Sequence, residues 1–302
     1  MNIIKYRSLW YLISVVLIGA SIVFVAVFGL KEGIDFAGGS LLVVRYGGQR
    51  PTPVVVENDM ASLNLGGIVI QPVGETDMSF RLKDMDEETH QKFLQQLKDK
   101  YGSITELRFD SIGPVIGQEL RSKSIFALVI VFIAIMIYIA YAFRKVAVPI
   151  ASWKYGFITA LTAFHDVIVP IGLFALLGKL HGLEVGTSFV AAILTVMGFS
   201  IHDTIVVLDR VRENLQRTSG VFETIVNTSL NQTIVRSINT TVATLLALIA
   251  VYLFGGASVR DFSLALIVGI TVGAYSSIFI AAPLLVTWYK IDSKRKAIKS
   301  AR

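Results

Sequence analysis

The sequence has no cysteine, which excludes disulfides, thiolate metal sites and cysteine nucleophiles. Charge is also scarce. Only 17% of the 302 residues are Asp, Glu, Lys or Arg, where a soluble globular chain carries about 25%. No G-x-x-x-x-G-K-[ST] run is present to cradle phosphates, so this chain is not expected to hydrolyse a nucleotide. No H-E-x-x-H occurs, and His90, His165, His181 and His202 stand at no ligand spacing; neither a metal nor another cofactor is expected. No serine lies in a G-x-S-x-G setting. A net charge of +6 does not point to nucleic acid, because the basic residues crowd beside apolar segments, as topology signals do.

What the sequence does have is apolar length. It is 54% hydrophobic, with a mean hydropathy of +0.65. Six runs approach or exceed the roughly 20 residues that cross a bilayer as a helix: Trp10–Leu30, Ser124–Phe143, Gly156–Gly178, Gly186–Asp209, Ser237–Gly255 and Phe262–Tyr289. The first is longer than the apolar region of a signal peptide, about 7–15 residues, and no small-x-small cleavage site follows it, so it reads as a membrane helix.

Lys5, Arg7, Arg144, Lys145, Lys154, Arg210, Arg212, Arg217, Lys290, Lys294, Arg295, Lys296, Lys299 and Arg302 all fall on one side of these runs. The short loops opposite offer only Lys179 and Arg260. The positive-inside rule therefore predicts cytoplasmic termini and an extracytoplasmic segment 31–122. The chain divides into residues 1–30 (cytoplasmic start and first helix), 31–122 (outer domain), 123–289 (helices two to six) and a basic tail, 290–302.

The outer segment has ordinary soluble composition. Ser40–Arg45, Ile68–Gln71, Ser79–Leu82 and Ile104–Phe109 read as strands, Val54–Leu63 as a short helix, and Asp86–Tyr101 as an amphipathic helix with Phe93, Leu97 and Tyr101 on one stripe. The order β-α-β-β-α-β, short by a strand or so, fits half of a ferredoxin-like α+β unit. The glycine-rich Gly33–Ser40 lacks the lysine and strand–helix setting of a phosphate loop, and reads as a sharp turn into this domain.

A charged side chain at the centre of a membrane helix costs about 2.5–3.5 kcal/mol on insertion scales, so such residues are functional by default. Asp166 sits mid-run in the third helix after His165, with Thr159 and Thr162 on its face. Pro170, four residues on, has no N–H for the Asp166 carbonyl, and a bend is expected there. Two readings stay open for Asp166, a structural pair that fixes the bend or a functional acid; His165 reads as structural. On the fourth helix Ser200, Asp203 and Thr204 share a face with His202 turned aside, and Asp203 reads as a working acid. Asp209, Arg210, Arg212 and Glu213 read as an interfacial cluster that ends that helix. Arg236, at the start of the fifth run, either snorkels to the surface or supplies the counter-charge to Asp203. On the sixth, Gly269 and Gly273 form a G-x-x-x-G pair within a small-residue stripe suited to close helix packing. Polar groups inside membrane helices, without nucleotide or metal chemistry, point to ion-coupled transport.

These segments resemble a known family. GIDFAGGS, with Gly33, Ile34, Asp35, Phe36, Gly38 and Gly39, is similar to a signature after the first helix of SecF members of the SecD–SecF family. IGPVIGQELRSKS (Ile112–Ser124), HDVIV (His165–Val169), GFSIHDTIVVLDRVREN (Gly198–Asn214), NTSLNQTIVRSINTT (Asn227–Thr241) and FGGASVRDFSLALIVGI (Phe254–Ile270) match its later motifs in order and spacing. The resemblance spans nearly the whole chain. It implies a multi-pass bacterial inner-membrane protein that pairs with SecD, the two resembling resistance–nodulation–division transporters. Such a pair assists the Sec translocon channel in exporting preproteins, driven by protons. By the same resemblance Asp203 and Arg236 fall on the family's proton pathway, to which the reading above adds Asp166. One departure is His202, where the family more often has Asn; an imidazole there can itself carry a proton.

The sequence therefore predicts a polytopic α-helical membrane protein, with six transmembrane helices and one small ferredoxin-like α+β extracytoplasmic domain between helices one and two. It reads as a proton-coupled transport subunit and not as an enzyme. The alternative is a proton-coupled exporter of small molecules or lipids from the same superfamily, for which a larger, repeated outer domain is expected. A third reading, an intramembrane aspartyl protease using Asp166 and Asp203, lacks the G-x-G-D context, since MGFSIHD surrounds Asp203.

Overall fold

A backbone in hydrocarbon has no water to satisfy its N–H and C=O groups, so apolar length becomes helix. The computed structural model of the chain describes residues 2–63, 65, 67–144 and 150–300. Lys145 and Arg302 lie outside the described residues, as do the side chains of Lys296 and Lys299. Two compact units emerge, one from the residues up to Lys31 with those from Phe126 onward, the other from Glu32–Ile125. Among the described residues, six helices are long and apolar enough to cross a membrane.

After α1 (Arg7–Phe28) comes the one-turn α2 (Ile34–Ala37), followed by β1 (Gly39–Tyr46), α3 (Pro53–Met60), β2 (Val69–Val73), β3 (Asp77–Leu82), α4 (Glu87–Tyr101) and β4 (Ile104–Ile112). The sheet order is β2-β3-β1-β4, with every neighbouring pair antiparallel. This is the complete β-α-β-β-α-β unit, with no strand missing. Alternation along β1 and β3 sends Leu42, Val44, Tyr46, Met78, Phe80 and Leu82 to one face, where they bury Val56 and Met60 of α3 and Phe93 and Leu97 of α4. Asp86 caps α4, its Oδ1 accepting from the Thr89 N–H at 2.9 Å. Arg45 and Asp77 pair across β1 and β3, and the guanidinium holds the Asp77 carboxyl below the usual carboxylate range.

The glycine-rich run explains itself here. Gly38 has φ +75° and Gly39 φ +117°, conformations that side chains rarely adopt. A Cβ on Gly39 would stand 2.6 Å from the Leu82 carbonyl oxygen, and one on Gly38 would stand 2.8 Å from Pro114 Cα. Ser40 is fully buried behind them. Its Oγ lies 2.8 Å from Ser111 Oγ and accepts the Met85 N–H at 3.0 Å, tying β1 to β4 and to the start of α4.

The remaining helices are α5 (Pro114–Ala142), α6 (Ser152–His181), α7 (Thr187–Arg217), α8 (Phe222–Phe254), α9 (Ala257–Ser276) and α10 (Ala282–Ser300). A π-helical turn, Ser277–Ala281, joins the last two into one span. α6, α7 and this sixth span are half or more buried within the unit, whereas α1, α5 and α8 turn most of their surface outward. Small residues set the closest approaches. A Cβ on Gly172 of α6 would sit 2.4 Å from Ser21 Cα of α1, and one on Gly269 of α9 would sit 2.3 Å from Val196 Cγ2 of α7. At one end, ion pairs gather the helix termini: Arg7–Glu223 at 3.0 Å, Lys290–Glu223, and buried Lys154 with Asp292 beside the rings of Trp153 and Trp288.

Candidate functional site: buried acids between membrane helices

α6 and α7 are each half or more buried within the helical unit, and each carries one buried acid. Asp166 on α6 is fully buried. Its Oδ1 lies 2.9 Å from His165 Nδ1; its Oδ2 accepts from Ser200 Oγ of α7 and from Ser276 Oγ of α9 at 2.6 Å. Three helices thus converge on one carboxyl. His165 is buried with it, its Nδ1 paired with the acid and its Nε2 meeting no partner among the described residues. Thr159 and Thr162 share the buried face but bond back to their own helix, at Tyr155 O and Ile158 O, and do not reach the acid. α6 continues through Pro170, which leaves the Asp166 carbonyl without its usual donor.

One turn along α7 from Ser200 lies Asp203, also buried. Ser237 Oγ of α8 donates to its Oδ1 at 2.6 Å; Oδ2 is buried with no partner among the described residues. Thr204 turns the other way and meets Ser277 of the π-helical turn at 2.9 Å, and Ser277 also donates to the Ser200 carbonyl at 3.3 Å. A π turn releases a backbone from its regular ladder, and such turns recur at functional sites. Here it follows directly after Ser276 and presents Ser277 to α7. Hydroxyls of α7 and the sixth span thus reach Asp166, and one hydroxyl of α8 reaches Asp203. Among the described residues, no group of three or more His, Asp or Glu is placed to hold a metal.

Arg236 does not pair with Asp203. It is exposed, and its guanidinium makes no hydrogen bond or ion pair among the described residues; the next residue, Ser237, occupies the acid instead. Nor does Arg236 open its helix. α8 starts at Phe222, so Arg236 lies about four turns in. His202 is exposed beside Asp203. Asp209, Arg210, Arg212 and Glu213 do not end α7, which runs on to Arg217. Gly269 and Gly273 of α9 face Val196 and Ser200 of α7, so the small-residue stripe seats the helix that carries both Ser200 and Asp203. Of the glycine-rich run, Gly33, Ile34, Phe36 and Gly39 are buried, Asp35 and Gly38 partly so, within the outer unit. Ser237 and Ser276 were not legible as ligands of the acids.

The profile described as protein export membrane protein SecD/SecF, C-terminal, matches residues 92–291, and that of the SecD/SecF GG motif matches residues 23–49. The chain belongs to the SecD/SecF family. It is 41% identical to the protein translocase subunit SecF of Thermobaculum terrenum, over 97% of this chain and 96% of that protein. It is 34% identical to the SecF of Rickettsia rickettsii over 99% and 95%. The crystal structure of SecDF from Thermus thermophilus, described as a translocon-associated membrane protein, superimposes with a TM-score of 0.83 at 31% identity. This chain is covered to 96% but spans only 39% of that longer polypeptide. The GG-motif match contains Gly38 and Gly39, whose backbone angles and close neighbours are given above. The C-terminal match takes in Asp166, Asp203 and their serine partners, so the site lies on the family's shared part.

Proposed function

We propose that the chain is a SecF-type subunit of a bacterial protein translocase. It works beside a SecD-type partner and the Sec channel, drawing on the proton-motive force to promote export of preproteins across the cytoplasmic membrane. The observation that carries this reading is Asp203: a buried carboxyl inside a membrane-spanning helix, one oxygen held by Ser237 and the other unpartnered among the described residues. Ser237 fixes the group in place, and the unpartnered oxygen is where a proton is taken up or released. Arg236, adjacent to Ser237 and always charged, is the cation that answers a change of charge at Asp203. A charge crossing the field gains about 2.3 kcal/mol per 100 mV, enough to bias a two-state arrangement of helices. Repacking along α7 and α8 then conveys the change, and Asp166, tied to three helices, is the point about which they are held. In this reading the chain performs no covalent chemistry, both termini lie in the cytoplasm, and the α+β unit works outside.

The test is translocation into inverted vesicles, with and without an uncoupler. Asp203→Asn, nearly isosteric but unable to titrate, is expected to assemble normally and to lose the gradient-stimulated part of export. Wild-type gradient dependence in that variant would exclude Asp203 as the coupling site and move attention to Asp166 or His202.

A further inference from the structure

The continuation of α7 to Arg217 gives Asp209, Arg210 and Glu213 a setting that a helix end would not. They wall a cleft of about 390 Å³ between α7 and α8, closed on the other side by Gln232, Thr233 and Arg236. Val206, also on its wall, lies one turn beyond Asp203 on α7, and Thr233 one turn before Ser237 on α8. The bond between Ser237 and Asp203 is thus the next contact above the cleft, and Asp203 Oδ2 is the buried, unpartnered oxygen beside it. The cleft is polar and has room for a chain of waters.

The charged groups around it are not equivalent. Glu213 is held on both oxygens, by Arg210 Nη1 at 2.5 Å and Arg217 Nη1 at 2.8 Å. Arg210 is further fixed by its Nε donating to Gln232 Oε1 at 2.7 Å. Among the described residues Asp209 has only Arg212 Nη1 at 3.5 Å, and its side chain is 62% exposed. Arg236, facing the same space from α8, has no partner among the described residues. The cleft therefore contains one clamped carboxylate and one exposed carboxylate with a single long contact.

We propose that this cleft is the leg of the proton path between Asp203 and the side on which α7 ends, and that Asp209 is its proton-exchanging group. The inference rests on the proton-coupled reading above and adds a residue to it. A proton leaves the Asp203 carboxyl for water in the cleft and is passed to the Asp209 carboxylate. Asp209 then releases it to bulk, and the Asp203 anion left behind is met by Arg236. Glu213 and Arg210, the latter bonded across to Gln232, fix the two walls relative to each other.

The absence of native cysteine makes the test clean. Val206→Cys and Thr233→Cys are made in the full chain, co-assembled with its partner in native membranes, and challenged from each face with a charged, membrane-impermeant thiol reagent. Labelling is expected only from the face on which α7 ends; no labelling, or labelling from the opposite face, overturns the cleft as a water route. In inverted vesicles, Asp209→Asn is expected to slow gradient-stimulated export several-fold at low buffer and to recover as a small mobile buffer is added on that face. A structural residue would not respond to buffer in this way. Asp209→Glu should need no added buffer, and Glu213→Gln should not be rescued by it. Should Asp209→Asn fail to accumulate, Asp209→Ser carries the same test. Wild-type rates at low buffer, or a defect that buffer does not relieve, overturn the role of Asp209. Loss of the broader reading would show instead as gradient dependence surviving in Asp203→Asn, whatever the labelling shows.

Discussion

Asp166 and Asp203 are both buried acids on membrane helices, but their oxygens are treated differently. Asp166 has a partner for each oxygen, drawn from α6, α7 and α9, whereas Asp203 has one bonded oxygen and one without a partner among the described residues. The first arrangement suits an anchor and the second a group that changes state. Removing a donor from a buried carboxyl costs about 1–3 kcal/mol. Ser200→Ala combined with Ser276→Ala is therefore expected to lower thermal stability in detergent markedly, while the protein that survives keeps gradient-dependent export. Ser237→Ala should lower stability less and impair gradient stimulation more. Equal stability losses with no effect of Ser237→Ala on export would contradict this division of roles. The acids themselves were legible in the sequence, because a charge within an apolar run stands out. Their serine ligands were not. Serine is common in membrane helices, and Ser276 is 110 positions from Asp166, so only the folded arrangement brings them together.

At the scale of elements, hydropathy located all six spans but misjudged where the helices stop. α5 begins at Pro114 and α8 at Phe222, well before the apolar runs at Ser124 and Ser237, because polar helical turns carry no hydropathy signal. That misplacement is why Arg236 read as a helix opener and the Asp209 cluster as a helix end. Strand alternation in the outer unit was a stronger signal, and the sheet matches it strand for strand. The G-x-x-x-G pair was visible too, but not Gly172, whose spacing advertises nothing. The structure ranks these glycines. A methyl group at 172 would run into Ser21 backbone, whereas one at 269 meets the side chain of Val196. Gly172→Ala is thus expected to reduce accumulation more than Gly269→Ala, since a backbone yields less readily than a rotamer. Gly269→Leu with Gly273→Leu should be more damaging still, as both would press on α7 at Val196 and Ser200. The check is the amount of folded protein recovered in mild detergent; full recovery of Gly172→Ala would refute the ranking.

For the molecule as a whole, the remaining question is which way it sits in the membrane. With six spans in alternation, the start of α1, the end of α5, the start of α6, the end of α7, the start of α8 and the end of α10 share one side. Arg7, Arg144, Lys154 and Arg217 stand at those termini, and Lys290 lies midway along α10. Several are neutralised locally, Arg7 and Lys290 by Glu223 and Lys154 by Asp292. A count of net charge would therefore blur the signal. The rule that orients membrane proteins counts Lys and Arg, with acids contributing little, so the bias survives these pairings. The side carrying them is expected to be cytoplasmic, leaving Glu32–Ile125 outside. Lys92 on α4 and Arg217 at the end of α7 are both well exposed and make suitable reporters. In intact cells, or in spheroplasts where an outer membrane intervenes, Lys92→Cys is expected to react with an impermeant thiol reagent, and Arg217→Cys only after the membrane is opened. A reversed pattern would invert the topology. It would also place the Asp209 cleft on the outer face, turning the proposed proton exit into an entrance.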